Sequence, residues 1–425
     1  MKTCKRRTCL QLGAGALAAG MFAAPARAAR PLKFWTFLAT QGTDPRSVAL
    51  REVVEGFNRS QSQWEVAVES INFARFDNVV IQATAAGQGP DMLNVYTDQL
   101  PMHVAAATVA PLDAQLGAGW AAEAKDFAVS PDFMRFGGKL MAVPWEARVW
   151  LLWYRQDLLA AAGLSVPKTL DELKSVAAKL SSDTAMGFGF GASTGALGAG
   201  AIEAFVPIFW GAGGTLFDAQ GKTLINSDAG VKTMTWLREM VAANAMKKTV
   251  VGMSVEDALT SVKAGTIDMT VMGSFRVGAA RAAAATGDKL LTAPVPGWSA
   301  GKPSPARVAS QTLALGANSK HPDGAWAFIQ YYLRPESQMA FARAGVMPSR
   351  LSTYNLPDFD KLPNAAELRQ WAAYLHENGK MEATPKDFSM LSEALATAIQ
   401  RTVVQGMDPR QALDEAARAY NSRQR

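Results

Sequence analysis

Apolar and polar positions along this chain change period repeatedly, and the changes mark its elements. Pro31-Leu32-Lys33-Phe34-Trp35-Thr36-Phe37 is β-rich and predicts an opening strand. Val48 to Phe57 carries apolar residues at helical spacing, and Trp64 to Glu69 alternates in the period of a half-buried strand. A helix from Val79 to Ala86, stopped by Gly87, is followed by a strand from Met92 to Tyr96, entered through Gly89-Pro90-Asp91. Strand signals recur at Leu151–Tyr154, Ile267–Met272 and Thr312–Leu315. Helices are expected from Thr169, which has Glu172 three residues on as a capping box, over 227–243, and over 255–264 before Gly265. Four more are expected over 322–332, 335–344, 389–405 and 409–420. Strands alternating with helices imply α/β layers with mainly parallel sheets. Two domains with no flexible linker between them suggest a chain that passes from one to the other several times.

Composition adds little until the first 28 residues are set apart. They hold Lys5-Arg6-Arg7, an apolar Gly/Ala-rich run to Ala24, and Ala26-Arg27-Ala28, a small-residue cleavage pattern. This anatomy predicts an export signal cut near Ala28, of the twin-arginine kind, and a soluble periplasmic mature protein. The apolar run of about 15 residues falls short of the ~20 that span a bilayer. Five of the 43 basic residues lie in this segment and none of the 37 acidic ones, so the remainder is balanced to within one charge. The apparent basicity therefore gives no support to a nucleic-acid partner. Cys4 and Cys9, the only cysteines, lie there too, which removes disulfides and thiol chemistry from the mature chain. His103, His321 and His376 stand apart, with solvent-facing or capping roles expected, and no metal site or cofactor is expected.

The order of short motifs resembles the family-1 extracellular solute-binding proteins, the group that includes the maltose-binding protein. Ala85-Ala86-Gly87-Gln88-Gly89-Pro90-Asp91 matches that family's A-x-G-x-x-P-D turn, and Ala110-Pro111-Leu112-Asp113 its a-P-L-d stretch. Gly138-Lys139-Leu140-Met141-Ala142-Val143-Pro144 is similar to G-K-x-Y-A-V-P. Leu151 to Leu158 is similar to L-x-x-Y-N-K-D-L, with Arg155 for the usual Asn. Gly273-Ser274-Phe275, Ser319-Lys320-His321-Pro322 and Gly345-Val346-Met347-Pro348 continue the series in the family's order. The resemblance implies a two-lobed periplasmic-binding-protein fold of class II, with three inter-lobe crossings near 143–150, 272–275 and 311–317. The lobes would then be 30–145 plus 273–315 and 148–270 plus 318–425. It implies a monomeric ABC-importer subunit that closes on a carbohydrate by hinge rotation and docks on an inner-membrane permease. Feeding a chemoreceptor is the alternative role.

A sugar site pairs aromatic rings with planar polar groups, because buried hydroxyls must be satisfied. Candidates lie just past strand ends and at the crossings: Gln41 with Thr40 and Asp44, then Tyr96 and Asp98, then Trp145, Glu146 and Arg148. Phe275 and Arg276 stand where relatives carry a stacking tryptophan, and Trp210 with Gly213 offers a ring beside a glycine turn. Arg148 and Arg276 leave an anionic sugar derivative or a glycerophosphodiester open as the ligand. Gly191-Ala192-Ser193-Thr194-Gly195 also fits a nucleophile elbow, with Ser193 as an esterase serine completed by His321 or His376. Its continuation is a poor helix start, and no catalysis is expected.

Overall fold

The structure, a computed structural model, describes residues 29–194, 199–382 and 388–423. The predicted export signal lies outside them. The chain opens with β1 (Arg30–Thr36), α1 (Pro45–Ser60), β2 (Trp64–Ser70), α2 (Phe76–Ala85) and β3 (Met92–Tyr96). After β4 (Val109–Ala110) and β5 (Val143–Pro144) comes β6 (Glu146–Arg155), followed by α3 (Leu170–Leu180), α4 (Ala199–Gly211), α5 (Asp228–Ala242) and α6 (Val255–Ala264). Then come β7 (Met269–Gly273), β8 (Leu290–Ala293), β9 (Ala306–Ala309), β10 (Gln311–Gly316), α7 (Pro322–Tyr332) and α8 (Pro335–Arg343). Last are β11 (Met347–Pro348), α9 (Ala365–Asn378), β12 (Gly379–Lys380), α10 (Phe388–Val403) and α11 (Pro409–Arg423).

These strands form two sheets, one per lobe. The first has the order β2-β1-β3-β10-β4, with β5 also on β10. Strands β1, β2 and β3 are parallel, as the alternation predicted, but β10 runs antiparallel to β3. The second sheet is built around β6, with β7, β8, β9 and β11 all antiparallel to it. It is thus not the mainly parallel sheet expected. Every residue of β6 is buried, including Glu146 and Arg148, so its charges must find partners inside the protein.

The passages between the lobes differ in part from the expected ones. At the first, Pro144-Trp145-Glu146 leads from β5 into β6; at the second, Ala309-Ser310-Gln311 leads from β9 into β10. The two lie side by side: Trp145 N donates to Gln311 O (3.0 Å), and Ser310 Oγ donates to Glu146 O (2.5 Å). The crossing expected at 272–275 does not occur. Strand β7 pairs with Trp150–Tyr154, and the chain then returns through β8 and β9 to the same sheet, so 274–309 belong to the second lobe. Helices α7 and α8, expected in the second lobe, pack on α1 and the first sheet instead. The third passage therefore follows α8, where β11 pairs Met347 and Pro348 with Ala147 and Glu146. Local periodicity identifies a strand but not its neighbour, and the lobe assignment turned on neighbours.

Helix ends follow their capping chemistry. Ser254 and Asp257 form a full capping box at α6, and Gly265 ends that helix with φ 73°, a left-handed conformation that suits glycine. At α3, Thr169 accepts from Glu172 N, but Glu172 reaches back to Lys168 N rather than to the cap residue. His103, expected near solvent, is fully buried. Its Nδ1 lies 2.7 Å from Thr108 Oγ1 and its Nε2 3.1 Å from Asp77 Oδ1. His321 packs its ring on Trp64 and His376 is exposed. Among the described residues no group of three His, Cys, Asp or Glu could hold a metal, and no helix is long and apolar enough to cross a membrane.

Candidate functional site

Alternation along β6 places Glu146, Arg148 and Trp150 on one face of the strand. They line the ground between the first two crossings, and the remaining groups gather around them. Arg148 donates from Nε to Glu146 Oε1, while Arg46 of α1 donates to Glu146 Oε2 at 2.8 Å. One fully buried carboxylate thus joins two guanidiniums from different elements. Burial holds the Arg46 guanidinium below its ordinary range; Glu146 opposes that drop and Arg148 adds to it.

The Arg148 guanidinium lies 4.1 Å from the ring centre of Phe275 and 5.4 Å from that of Tyr96. Phe275 stands two residues past the end of β7, and its ring also meets Arg276 at 4.5 Å and lies edge-to-face with Trp150 at 6.3 Å. Arg276 forms ion pairs with Glu203 of α4 at 3.7 Å and Glu256 of α6 at 3.2 Å. One step along the sheet, Arg307 of β9 covers Trp150 at 4.2 Å. It donates to Asp98 Oδ2 at 2.5 Å and to the Tyr96 hydroxyl at 3.5 Å. Burial is the largest single influence on Arg307 and works against its charge, but Asp98, Tyr96 and Glu203 together outweigh it and hold the proton more firmly than usual. Burial, with the charge of Asp98 beside it, pushes the Tyr96 phenol up to about 12. Arg307 pairs in register with Lys380 of β12, whose ammonium sits 5.2 Å from the ring of Trp210.

The predicted residues divide accordingly. Tyr96, Asp98, Glu146, Arg148, Phe275 and Arg276 come together between the lobes, with Trp210 at the end of the row. Trp145 does not join them. It is fully buried against Tyr332 and Phe341, with ring centres 5.4 and 4.7 Å away, and belongs to the core of the first lobe. Gln41 is exposed in the loop before α1, and Thr40 O is taken up by Arg51 Nη1 (2.6 Å). Asp44 is occupied as the N-cap, accepting from Arg46 N and Ser47 N. Gly213 is exposed at φ 89° in the turn that ends α4. Ser193 is half-buried and its N–H donates to Met253 O at 2.9 Å; residues 195–198, the rest of the elbow pattern, lie outside the described ones.

Sequence reasoning missed Arg46, Trp150, Glu203 and Arg307. For Trp150 a signal existed: with Glu146 and Arg148 it forms an i, i+2, i+4 row that Trp145 breaks. The others are joined to the site only by tertiary contacts. A cleft of about 620 Å³ opens on the other face of β9, at Val308 rather than Arg307. Trp120, Phe127, Phe133 and His376 help to line it, and its arginine, Arg135, is already paired with Asp132 and Asp113. The convergence of buried charge lies on the Arg307 side.

Two α/β lobes joined by strand crossings, with charged and aromatic groups from both at the junction, define a solute-binding protein fold. The sequence profile of the family described as bacterial extracellular solute-binding protein matches residues 43–339, and the chain belongs to that family. Among curated relatives it is 26% identical over 232 residues to a probable amino-acid ABC transporter periplasmic-binding protein of Sinorhizobium fredii. That match covers 53% of this chain and 51% of the relative. A probable ABC transporter-binding protein of Deinococcus radiodurans is 28% identical, covering 52% and 54%. The chain thus spans about half the length of these relatives. Solved structures agree in fold over far more of it. The cyclic alpha-maltosyl-1,6-maltose binding protein of Arthrobacter globiformis superposes with a TM-score of 0.78 at 21% identity, covering 93% of this chain and 98% of that one. The GacH receptor of Streptomyces glaucescens, solved unliganded and with acarbose, gives 0.76 at 21% identity over 93% and 98%. A solute-binding protein of Agrobacterium radiobacter in complex with ribitol gives 0.72 at 22% identity, over 92% and 98%.

Proposed function

We propose that this chain is the exported, periplasmic capture subunit of an ABC importer, and that it takes a carbohydrate or polyol between its lobes and presents it to a membrane permease. The observation that carries this reading is the junction itself. Tyr96 and Asp98 come from the first lobe, Arg148, Phe275, Arg276 and Arg307 from the second, and each touches at least one other of the set beside the crossings. A ligand held by both sets exists only in the closed form, so its binding free energy drives closure. The fold neighbours support the sugar class, since those named above were solved with acarbose or ribitol or are named for a cyclic maltosaccharide. Family and fold neighbours are binding proteins, and catalysis has no part in this reading.

The test is a thermal-shift screen of the mature chain, from residue 29, against neutral sugars, polyols, sugar acids and glycerophosphodiesters. A ligand at 100 times its Kd stabilises the folded form by about 2.7 kcal/mol and raises the melting temperature. At least one of these classes is expected to do so. No shift from any of them would overturn the reading.

A further inference from the structure

In a neutral-sugar site the aromatic faces are open for stacking; here they are covered. Two guanidiniums lie against Phe275, one of them also against Tyr96, and a third lies over Trp150. An ammonium lies by Trp210. What these groups offer a ligand is N–H donors. Arg148 spends only Nε on Glu146, and among the described residues no acceptor is hydrogen-bonded to its two terminal nitrogens. Nη1 of Arg276 is buried without a hydrogen bond, with Glu203 too distant at 3.7 Å to accept one. Indole nitrogens without partners also occur in the core, at Trp145 and Trp153, so the guanidinium nitrogens carry the argument.

The surroundings of these nitrogens point the same way. Arg46 and Arg148 share the one carboxylate of Glu146, and Arg276 is met by Glu203 at 3.7 Å and by Glu256, whose side chain is 59% exposed and screened by water. A ligand carboxylate or phosphate between Arg148 and Arg276 supplies the acceptors that these N–H groups lack. Planar guanidiniums suit carboxylate and phosphate oxygens, which accept two N–H bonds side by side.

We infer that the carbohydrate or polyol this protein captures carries an acidic group, a carboxylate or a phosphodiester, and that Arg148 and Arg276 bind that group beside Phe275. This rests on the proposed function and narrows it. A neutral sugar offers no group that accepts two of these N–H bonds side by side.

Calorimetry on the mature protein compares glucose with glucuronate, which differ at one carbon, and glycerol with glycerol 3-phosphate and with glycerophosphoglycerol, a phosphodiester with no cationic group. Glucuronate or the phosphodiester is expected to bind and its neutral counterpart to bind at least tenfold more weakly; which of the two binds identifies the source of the charge. Arg148→Gln and Arg276→Gln, each checked for native circular dichroism, are expected to weaken the acid about 10- to 100-fold, as the loss of charge-assisted hydrogen bonds requires. If Arg148→Gln fails to fold, Arg276→Gln alone decides, because that side chain is 19% exposed and its loss leaves the crossings intact. Binding of glucose equal to that of glucuronate, or no effect of Arg276→Gln on the acid, would overturn the inference and leave the importer reading standing. Binding of none of these, with silence in the wider screen, would remove both.

Discussion

Asp98→Asn keeps the size of the side chain and removes only its charge. In the wild-type protein Asp98 Oδ2 receives Arg307 Nη2 at 2.5 Å, with side chains 12% and 6% exposed. Taking one partner from a buried ion pair costs about 3–5 kcal/mol, since the remaining charge stays desolvated. Arg307 keeps the face of Trp150 and the Tyr96 hydroxyl, and Asn can still accept a hydrogen bond. The lower end, about 3 kcal/mol, is therefore expected. The location matters as much as the size. Asp98 is in the first lobe and Arg307 three residues before the Ser310 crossing, so the pair ties the lobes together. Urea unfolding followed by circular dichroism should show the loss of about 3 kcal/mol, and small-angle scattering of the ligand-free protein should show a larger radius of gyration. The double variant Asp98→Leu with Arg307→Met should recover much of the stability, because it leaves no buried charge behind. A loss below about 0.5 kcal/mol, the size of an exposed pair, with unchanged scattering would refute the reasoning.

Trp145→Ala should cost about 3–5 kcal/mol by opening a cavity against Tyr332 and Phe341. The folded fraction should keep its ligand Kd within tenfold, and a variant that folds normally but no longer binds would return Trp145 to the site. Asp268 gives a pH dependence. Burial, aided by Asp157 and opposed by Arg155, pushes its carboxyl up from 3.8 to about 6. The folded state therefore holds this proton more tightly than the unfolded chain does, so the contribution is favourable below about pH 4 and is lost as pH rises to about 6. Asp268→Asn should raise stability by about 1–3 kcal/mol at pH 7.5 and change little at pH 4. A lower melting temperature for the variant at pH 7.5 would contradict the assignment.

Much of the fold was legible because its elements announce themselves locally. The strand Met92–Tyr96 and the α6 helix with its Gly265 stop lie where periodicity and capping put them. Strand β6 was read four residues long and is ten, because Glu146 and Arg148 look like loop residues until Arg46 and Phe275 are seen against them. The same misreading hid the parity that separates Trp150, on the charged face, from Trp145, in the core. Tyr96 and Asp98 were within reach of sequence reasoning because strand ends in such sheets border the cleft, whereas Phe275 came from the resemblance alone, at a crossing the chain does not make. Arg307 and Glu203 were not, since nothing local distinguishes a buried arginine in a short strand, or a glutamate in an apolar helix, from their neighbours.

The crystal structure of the mature protein with the tightest ligand from the screen tests the central claim most directly. The account predicts the ligand between the lobes, its acidic group within hydrogen-bonding distance of the Arg148 terminal nitrogens, with Tyr96 contacting it from one lobe and Phe275 from the other. A ligand found instead in the cleft between Trp120 and His376, or touching one lobe alone, would contradict it.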